Sequence, residues 1–224
     1  MLDHDAGIIF DLDGVLVDTG WAHKRSWYDL AEKERFGLSD EFFYRTFGMQ
    51  NAQIIPMLLG HAPSAAEISR LSQWKEQRYR ELIAEKLALS DGTKKLLDDL
   101  HRAGFLMAIG SSAPRANLDL ILDHLSLRGY FSAWVTHEDV SRGKPAPDTF
   151  LKAAEKLRLS PARCVVVEDA VQGVEAAKAA RMAVVAVTTT RGRAALAQAD
   201  MVVDDLSELR ADDFIKLLTK QSTS

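Results

Sequence analysis

Residues 8–19 read IIFDLDGVLVDT: three apolar residues run into Asp11 and Asp13, with Gly14 next and Asp18 shortly after. Two carboxylates with a single residue between them repel each other, and burying one without a partner costs several kcal/mol or shifts its pKa. A bound cation offsets both costs. Two later apolar runs end in the same manner. FLMAIG (105–110) leads into Ser111 and Ser112, and CVVVED (164–169) ends in Glu168 and Asp169. Between them SRGKPAPD (141–148) sets Lys144 just before a helix start. Four carboxylates, a hydroxyl and a lysine from four separate segments make a donor set for a hard divalent cation. Mg²⁺ suits it, because that ion takes one or two carboxylates and keeps water or phosphate oxygens as its other ligands.

These groups can meet only if the intervening chain brings the segments together. The runs at 8–10, 105–110, 164–169, 183–187 and 201–205 are short, apolar on both faces and rich in β-branched residues, as buried parallel strands are. Segments of helical period lie among them: 91–104, with Leu96, Leu97 and Leu100 on one face and a glycine stop, then 148–159 and 173–182. The alternation predicts an α/β fold, a doubly wound (Rossmann-like) parallel sheet, in which ligands bind at the carboxyl ends of the strands. Residues 20–87 break the alternation. They contain no strand pattern and several helical ones, notably 24–37 and 65–86, and read as a helical insertion. The expected division is a core of residues 1–18 and 90–224 and a cap of 19–89, hinged at Asp18-Thr19 and near Ser90-Asp91. The polar end LTKQSTS reads as a frayed tail.

With 47% hydrophobic and 27% charged residues the chain has the composition of an ordinary globular protein. Its net charge of −4 gives no basic field for nucleic acid or an anionic membrane, so an anionic substrate needs a locally positive site. Cys164 is the single cysteine, which precludes an internal disulfide and fits a reducing compartment. The start MLDHDAG lacks the basic head and long apolar stretch of a signal peptide, and no run approaches the length of a membrane span. A cytoplasmic monomer acting on a small molecule is the expectation.

DLDGVLVDT, GSS, GKPAPD and VVVEDA, in this order, resemble the four motifs of the haloacid dehalogenase superfamily. The resemblance is closest to the branch of β-phosphoglucomutases and sugar-phosphate phosphatases, which carries a helical cap between the first two motifs. It implies a Mg²⁺-dependent phosphatase acting on a small organic phosphate ester, a sugar phosphate above all. Asp11 would be the nucleophile that becomes aspartyl-phosphate, and Asp13 the acid and base. Asp11, the backbone carbonyl of Asp13, and Asp169 would hold the metal, with Glu168 in or beside its shell. Gly14, Ser111, Ser112 and Lys144 would surround the phosphoryl group, and the Lys144–Pro145 bond would be cis as in relatives. In the cap, His23 would orient Asp13 and Lys75 would touch substrate, while Trp27 and Trp74 read as cap core. KEQRY keeps Lys75 and Tyr79 at the family's spacing. The sequence departs from the mutases at Asn51, where their cap loop has an arginine for a second phosphate. Asparagine offers no charged fork; Arg115 could substitute. The departure favours a phosphatase over a mutase.

Each residue taken singly has an ordinary alternative. Ser112 could cap a helix, Glu168 and Asp169 could cap the next one, Lys144 could sit in a surface turn, and His23, Lys75 and Arg115 could lie on solvated helix faces. A calcium loop is excluded because Gly14 comes too early and Ala22 occupies the place of the terminal glutamate. A phosphoacceptor module resembling bacterial receiver domains would use similar groups, but in about half this length, without a large cap, and with its acidic pair early. True dehalogenases lack an acid at the place of Asp13, and phosphonate hydrolases need a cap lysine that GMQNAQ does not offer.

Overall fold

The computed structural model describes residues 6–221. Its centre is a six-stranded parallel sheet of β1 (Gly7–Phe10), β2 (Leu106–Gly110), β3 (Ala133–Val135), β4 (Cys164–Glu168), β5 (Ala183–Val187) and β6 (Met201–Val203), in the order β3-β2-β1-β4-β5-β6. β1 is paired on both sides, with Ile9 opposite Ala108 and Val166. Both of its faces are therefore covered, and Ile8, Ile9 and Phe10 are all fully buried. Ile8 and Phe10 pack with Leu96, Leu97 and Leu100 of α5 (Thr93–Ala103). Ile9 packs on the opposite face with Phe150 and Ala153 of α7 (Asp148–Leu157) and Val174 of α8 (Val171–Ala179). Strand order reverses beside β1, and that reversal opens a crevice at the carboxyl ends of the strands.

The expected architecture is thus present, with three differences. The sixth strand, β3, has only three residues, and Ala133-Trp134-Val135 is too short to stand out as an apolar run. Two helices, α6 (Arg115–His124) and α9 (Ala211–Gln221), complete the layers. The predicted tail is helical as far as Gln221, because Phe214 and Leu217 of α9 bury against the sheet; residues 222–224 lie outside the described part. Cys164 is core, and burial pushes its thiol up to about 12.

Between β1 and β2 the chain makes a helical insert of α1 (Gly20–Glu34), α2 (Asp40–Thr46), α3 (Asn51–Leu59) and α4 (Ala65–Ala84) before returning through α5. Trp27, Leu30, Phe43, Phe47, Ile54, Ile55 and Leu71 form its own apolar centre, with Trp74 against it. The outgoing and returning chains lie side by side: Val17 bridges antiparallel to Leu89, and Ser90 N donates to Leu16 O at 3.0 Å. Among the described residues no helix is long and apolar enough to cross a membrane.

Candidate active site

Hydrogen bonding beyond the strand ends fixes the loops that carry the chemistry. Asp11 N donates to Val167 O at 2.9 Å, and Ser111 N donates to Val135 O at 3.0 Å. Both side chains therefore start from backbone still tied to the sheet. Gly14 turns the chain at φ +86°, and a Cβ there would lie 2.1 Å from Asp169 Oδ2. Only glycine accommodates both the turn and the close approach of that carboxylate.

Lys144, 1% exposed, holds the innermost group together. Its Nζ donates to Asp11 Oδ1 at 2.7 Å and to Glu168 Oε1 at 2.5 Å. Burial alone would drive this ammonium down, but the charges of Asp11 and Glu168 outweigh it and hold the pKa above the usual lysine range. The Lys144–Pro145 bond is cis. Glu168 Oε2 accepts from Asp169 N at 2.7 Å and Ala170 N at 2.8 Å, so both of its oxygens are engaged by protein. Neither acid caps α8 through its side chain, since the residue before that helix is Ala170.

Asp169 Oδ2 accepts from Thr190 Oγ1 at 2.6 Å, while Oδ1 is buried with no partner. Ligand atoms of Asp11, Glu168 and Asp169 lie within 4.8 Å of one another. Burial pushes Asp11 up to about 7 in spite of Lys144, with Glu168 adding to the rise. Burial, then Glu168 and Asp11, raises Asp169 well above the carboxylate range. When ionised, the three carboxylates exceed the one ammonium by two negative charges, and an orphaned carboxylate oxygen points to something that should meet it. A hard divalent cation fits both the charge and the donor set.

The Asp13 side chain belongs to a different neighbourhood. Thr19 Oγ1 donates to its Oδ1 at 2.6 Å, Tyr79 OH donates to the same oxygen, and His23 Nε2 lies 3.1 Å away. Burial would raise this carboxyl, but His23 first, then Thr19 and Tyr79, outweigh it and keep it well below the usual range. His23 stacks on Tyr79 with ring centroids 4.0 Å apart, and its Nδ1 is 2.7 Å from Lys75 Nζ. An ammonium can only donate, so Nδ1 accepts and the ring proton sits on Nε2, facing Asp13.

One cavity of about 50 Å³ has Asp11, Asp13, His23, Asn51, Lys75, Ser111 and Ser112 among its walls; Lys144, Glu168 and Asp169 lie behind Asp11 and do not line it. Two expectations change. Ser112 does not cap α6, whose preceding residue is Pro114; its Oγ donates to Gly48 O at 2.7 Å and ties the core loop to the insert. Arg115 does not replace the missing arginine. Its guanidinium pairs with Asp119 at 3.1 Å, stacks on Trp134, and lies outside the cavity walls.

Sequence reasoning assigned no chemistry to Thr19, Tyr79, Glu76, Asn117, Gly173 or Thr190. Tyr79 had a signal, since it falls four residues after Lys75 on the same helical face. Lys75 also donates to Glu76 Oε1 at 2.8 Å. Glu76 in turn accepts from Asn51 Nδ2 at 2.8 Å and from Asn117 Nδ2 of α6 at 2.6 Å.

The chain is 34% identical over 213 residues to a chloroplastic 5-amino-6-(5-phospho-D-ribitylamino)uracil phosphatase of Arabidopsis thaliana, covering 94% of this chain and 57% of that protein. It thus spans little more than half the length of that relative. A fructose-1-phosphate phosphatase of Escherichia coli (strain K12) is 32% identical over 185 residues, covering 81% of this chain and 96% of the relative. Among solved structures, a β-phosphoglucomutase from Clostridium difficile superposes with a TM-score of 0.88 at 26% identity, over 98% of this chain and all of that one. The family model of the haloacid dehalogenase-like hydrolases matches residues 8–187, and the chain belongs to that family.

Proposed function

We propose that this protein is a Mg²⁺-dependent phosphatase that hydrolyses a small organic phosphate monoester, a sugar or polyol phosphate, through a phosphorylated Asp11. The observation that carries the reading is the division between two carboxylates two residues apart. Asp11 is held by Lys144 in the inner acidic group, and Asp13 is held by Thr19, Tyr79 and His23. In this reading the first carboxylate attacks phosphorus and the second transfers the proton.

Asp11, Asp169 and the backbone carbonyl of Asp13 would hold the cation, while Glu168 positions Lys144 and the 169–170 backbone. Mg²⁺ bound there supplies charge screening between an anionic phosphate and an anionic nucleophile. The Asp11 carboxylate attacks phosphorus, the bond from phosphorus to the leaving oxygen breaks, and Asp13, protonated from solvent while the cap is open, gives that oxygen its proton. Water then adds to phosphorus, Asp13 takes its proton, and the bond from phosphorus to Asp11 breaks. Ser111 and Lys144 hold phosphoryl oxygens throughout. Residues 19–89 act as the cap. Closure brings His23 and Tyr79 to Asp13 and excludes bulk water; opening withdraws them and lets the carboxyl exchange its proton with solvent.

A screen of phosphomonoesters with Mg²⁺, read as released inorganic phosphate, tests the proposal. Asp11→Asn should abolish release while leaving the unfolding curve cooperative. The screen includes β-glucose 1-phosphate with glucose 1,6-bisphosphate. Formation of glucose 6-phosphate without free phosphate would replace the hydrolase with a mutase.

A further inference from the structure

The run AVVAVTTT (183–190) carries β5 straight into three threonines, and each hydroxyl ties the loop to a different strand end. Thr188 N donates to Val203 O at 3.0 Å, and its Oγ1 donates to Asp204 Oδ1, just past β6, at 3.1 Å. Thr189 Oγ1 donates to Gly14 O in the turn after β1. Thr190 Oγ1 reaches Asp169 after β4, 2.6 Å from Oδ2 and 2.9 Å from the backbone oxygen. Arg191 then lays its guanidinium over the Tyr44 ring of α2, 4.9 Å from the ring centre. The loop is thereby pinned to the ends of three other strands and to the helical insert.

Thr190 is the member of this run that touches the acidic group. A hydroxyl has one proton to donate, and 2.6 Å is the length of a charge-assisted bond to a carboxylate. The last torsion of an aspartate is broad and nearly two-fold. Left alone, the carboxylate would offer either oxygen over a range of angles. The Thr190 bond selects one oxygen and one angle.

The two oxygens of Asp169 are therefore unequal: Oδ2 takes the Thr190 proton, and Oδ1 is buried without a partner. The neighbouring acids differ from it. Lys144 engages Asp11 Oδ1, and Glu168 has both oxygens engaged, by Lys144 and by two backbone amides. Among the described residues, Asp169 Oδ1 is the one fully buried oxygen of the three carboxylates that the protein itself does not meet. A buried polar atom left in this way calls for a ligand from outside.

We infer that Thr190 is a positioning residue for the cation: by holding Oδ2 it presents Oδ1 of Asp169 to the ion and makes Asp169 a one-oxygen ligand. The inference rests on the Mg²⁺ site of the reading above and adds to it a residue from the end of β5. Hydrogen-bond partners that orient metal ligands contribute about 10- to 100-fold in metal affinity. The opposite sign is physically available. If Thr190 instead withheld Oδ2 from a two-oxygen grip, removing its hydroxyl would tighten binding.

Three variants of the full chain test it. Thr190→Val removes the hydroxyl and keeps the methyl group that lies beside Gly20, where a Cβ would be 3.4 Å from it. Thr190→Ser keeps the hydroxyl. Thr188→Val removes a hydroxyl of the same loop that bonds to Asp204 instead of Asp169. The dependence of the melting temperature on Mg²⁺, with no substrate present, gives the Kd of each. Thr190→Val should weaken Mg²⁺ binding at least tenfold, while Thr190→Ser and Thr188→Val stay within threefold of the native chain. In phosphate release the half-saturating Mg²⁺ of Thr190→Val should rise by the same factor, with kcat at saturating Mg²⁺ within threefold of native. Thr190→Ala, read in the same way, replaces the valine variant if that chain does not fold. Unchanged or tighter Mg²⁺ binding by Thr190→Val overturns the role of Thr190 and leaves the phosphatase standing, as does equal weakening by Thr190→Ser or Thr188→Val. A native chain whose melting temperature ignores Mg²⁺ removes the cation site and this role with it, whether or not it releases phosphate.

Discussion

Gly173, in the first turn of α8, lies against the carboxylate of Glu168: a Cβ on it would sit 1.8 Å from Glu168 Oε1. Glu168 is fully buried and tied to Lys144 and two backbone amides, so it cannot swing away without breaking that group. Glycine in a helix ordinarily costs about 0.5–1 kcal/mol relative to alanine. Here the sign inverts. Gly173→Ala should destabilise the protein and lower turnover together, and urea unfolding beside phosphate release measures both. A more stable and fully active variant would remove Glu168 as a fixed positioner.

Lys144 has a similarly exposed failure. Removing one partner of a buried ion pair costs about 3–5 kcal/mol, because the other charge remains buried. Lys144→Met leaves Asp11 and Glu168 without their shared cation. The urea midpoint should fall by that order and turnover should vanish. Adding Mg²⁺ should recover part of the stability, since the ion then faces a larger surplus of negative charge, but none of the activity.

The surplus charge of Asp11, Glu168 and Asp169 makes metal dependence a stability effect as well as a catalytic one. A ligand bound only by the folded state adds about 2.7 kcal/mol at a hundredfold excess over its Kd. Thermal unfolding should therefore move upward with Mg²⁺ and return with chelator, and chelator should stop phosphate release. Asp169→Asn, which alters the carboxylate whose Oδ1 has no partner, should flatten that response. An unchanged melting temperature across a Mg²⁺ titration of the native chain would count against the site.

What the sequence discloses depends on where a group's partners lie. Asp11 and Asp169 were legible because each ends an apolar run, which parallel strands deliver to one edge, and Lys144 because it stands just before a helix start. β3 was not legible, since a three-residue edge strand carries no period. Glu76 looks like surface charge in KEQRY; only Asn117, 41 residues away on α6, and Asn51 make it a buried junction. Arg115 was read as facing substrate because it follows the serine loop closely, but Asp119 one turn later and Trp134 across the layer hold it outside. Pairings between distant elements need the fold before they can be read.

Tyr79 gives the cap a measurable part in proton transfer. Its hydroxyl donates to Asp13, and hydrogen bonds to charged groups are worth about 1.5–3 kcal/mol. Tyr79→Phe keeps the stack on His23 and removes only that donor. kcat should fall by roughly 10- to 100-fold, with KM nearly unchanged, because phosphate binding does not involve the phenol. A KM effect without a kcat effect would make Tyr79 a substrate contact instead.

Acid sensitivity should carry the signature of Glu76. Burial would raise this carboxyl, but Lys75 and His23 outweigh it, helped by the bonds from Lys75 and Asn51, and its folded pKa lies below the usual 4.5. The titratable groups facing it are Lys75 and His23 from the insert, with the Arg80 guanidinium reaching Asn117 beside it. A group with a depressed folded pKa takes up its proton more readily when the chain unfolds. Its contribution to stability is complete above the unfolded value and is lost as pH falls through the range below 4.5. Urea midpoints at pH 6 and pH 3.5 should therefore drop further for the native chain than for Glu76→Gln. Parallel losses in the two proteins would mean that Glu76 titrates alike folded and unfolded, and that the buried junction with Lys75 does not hold it ionised.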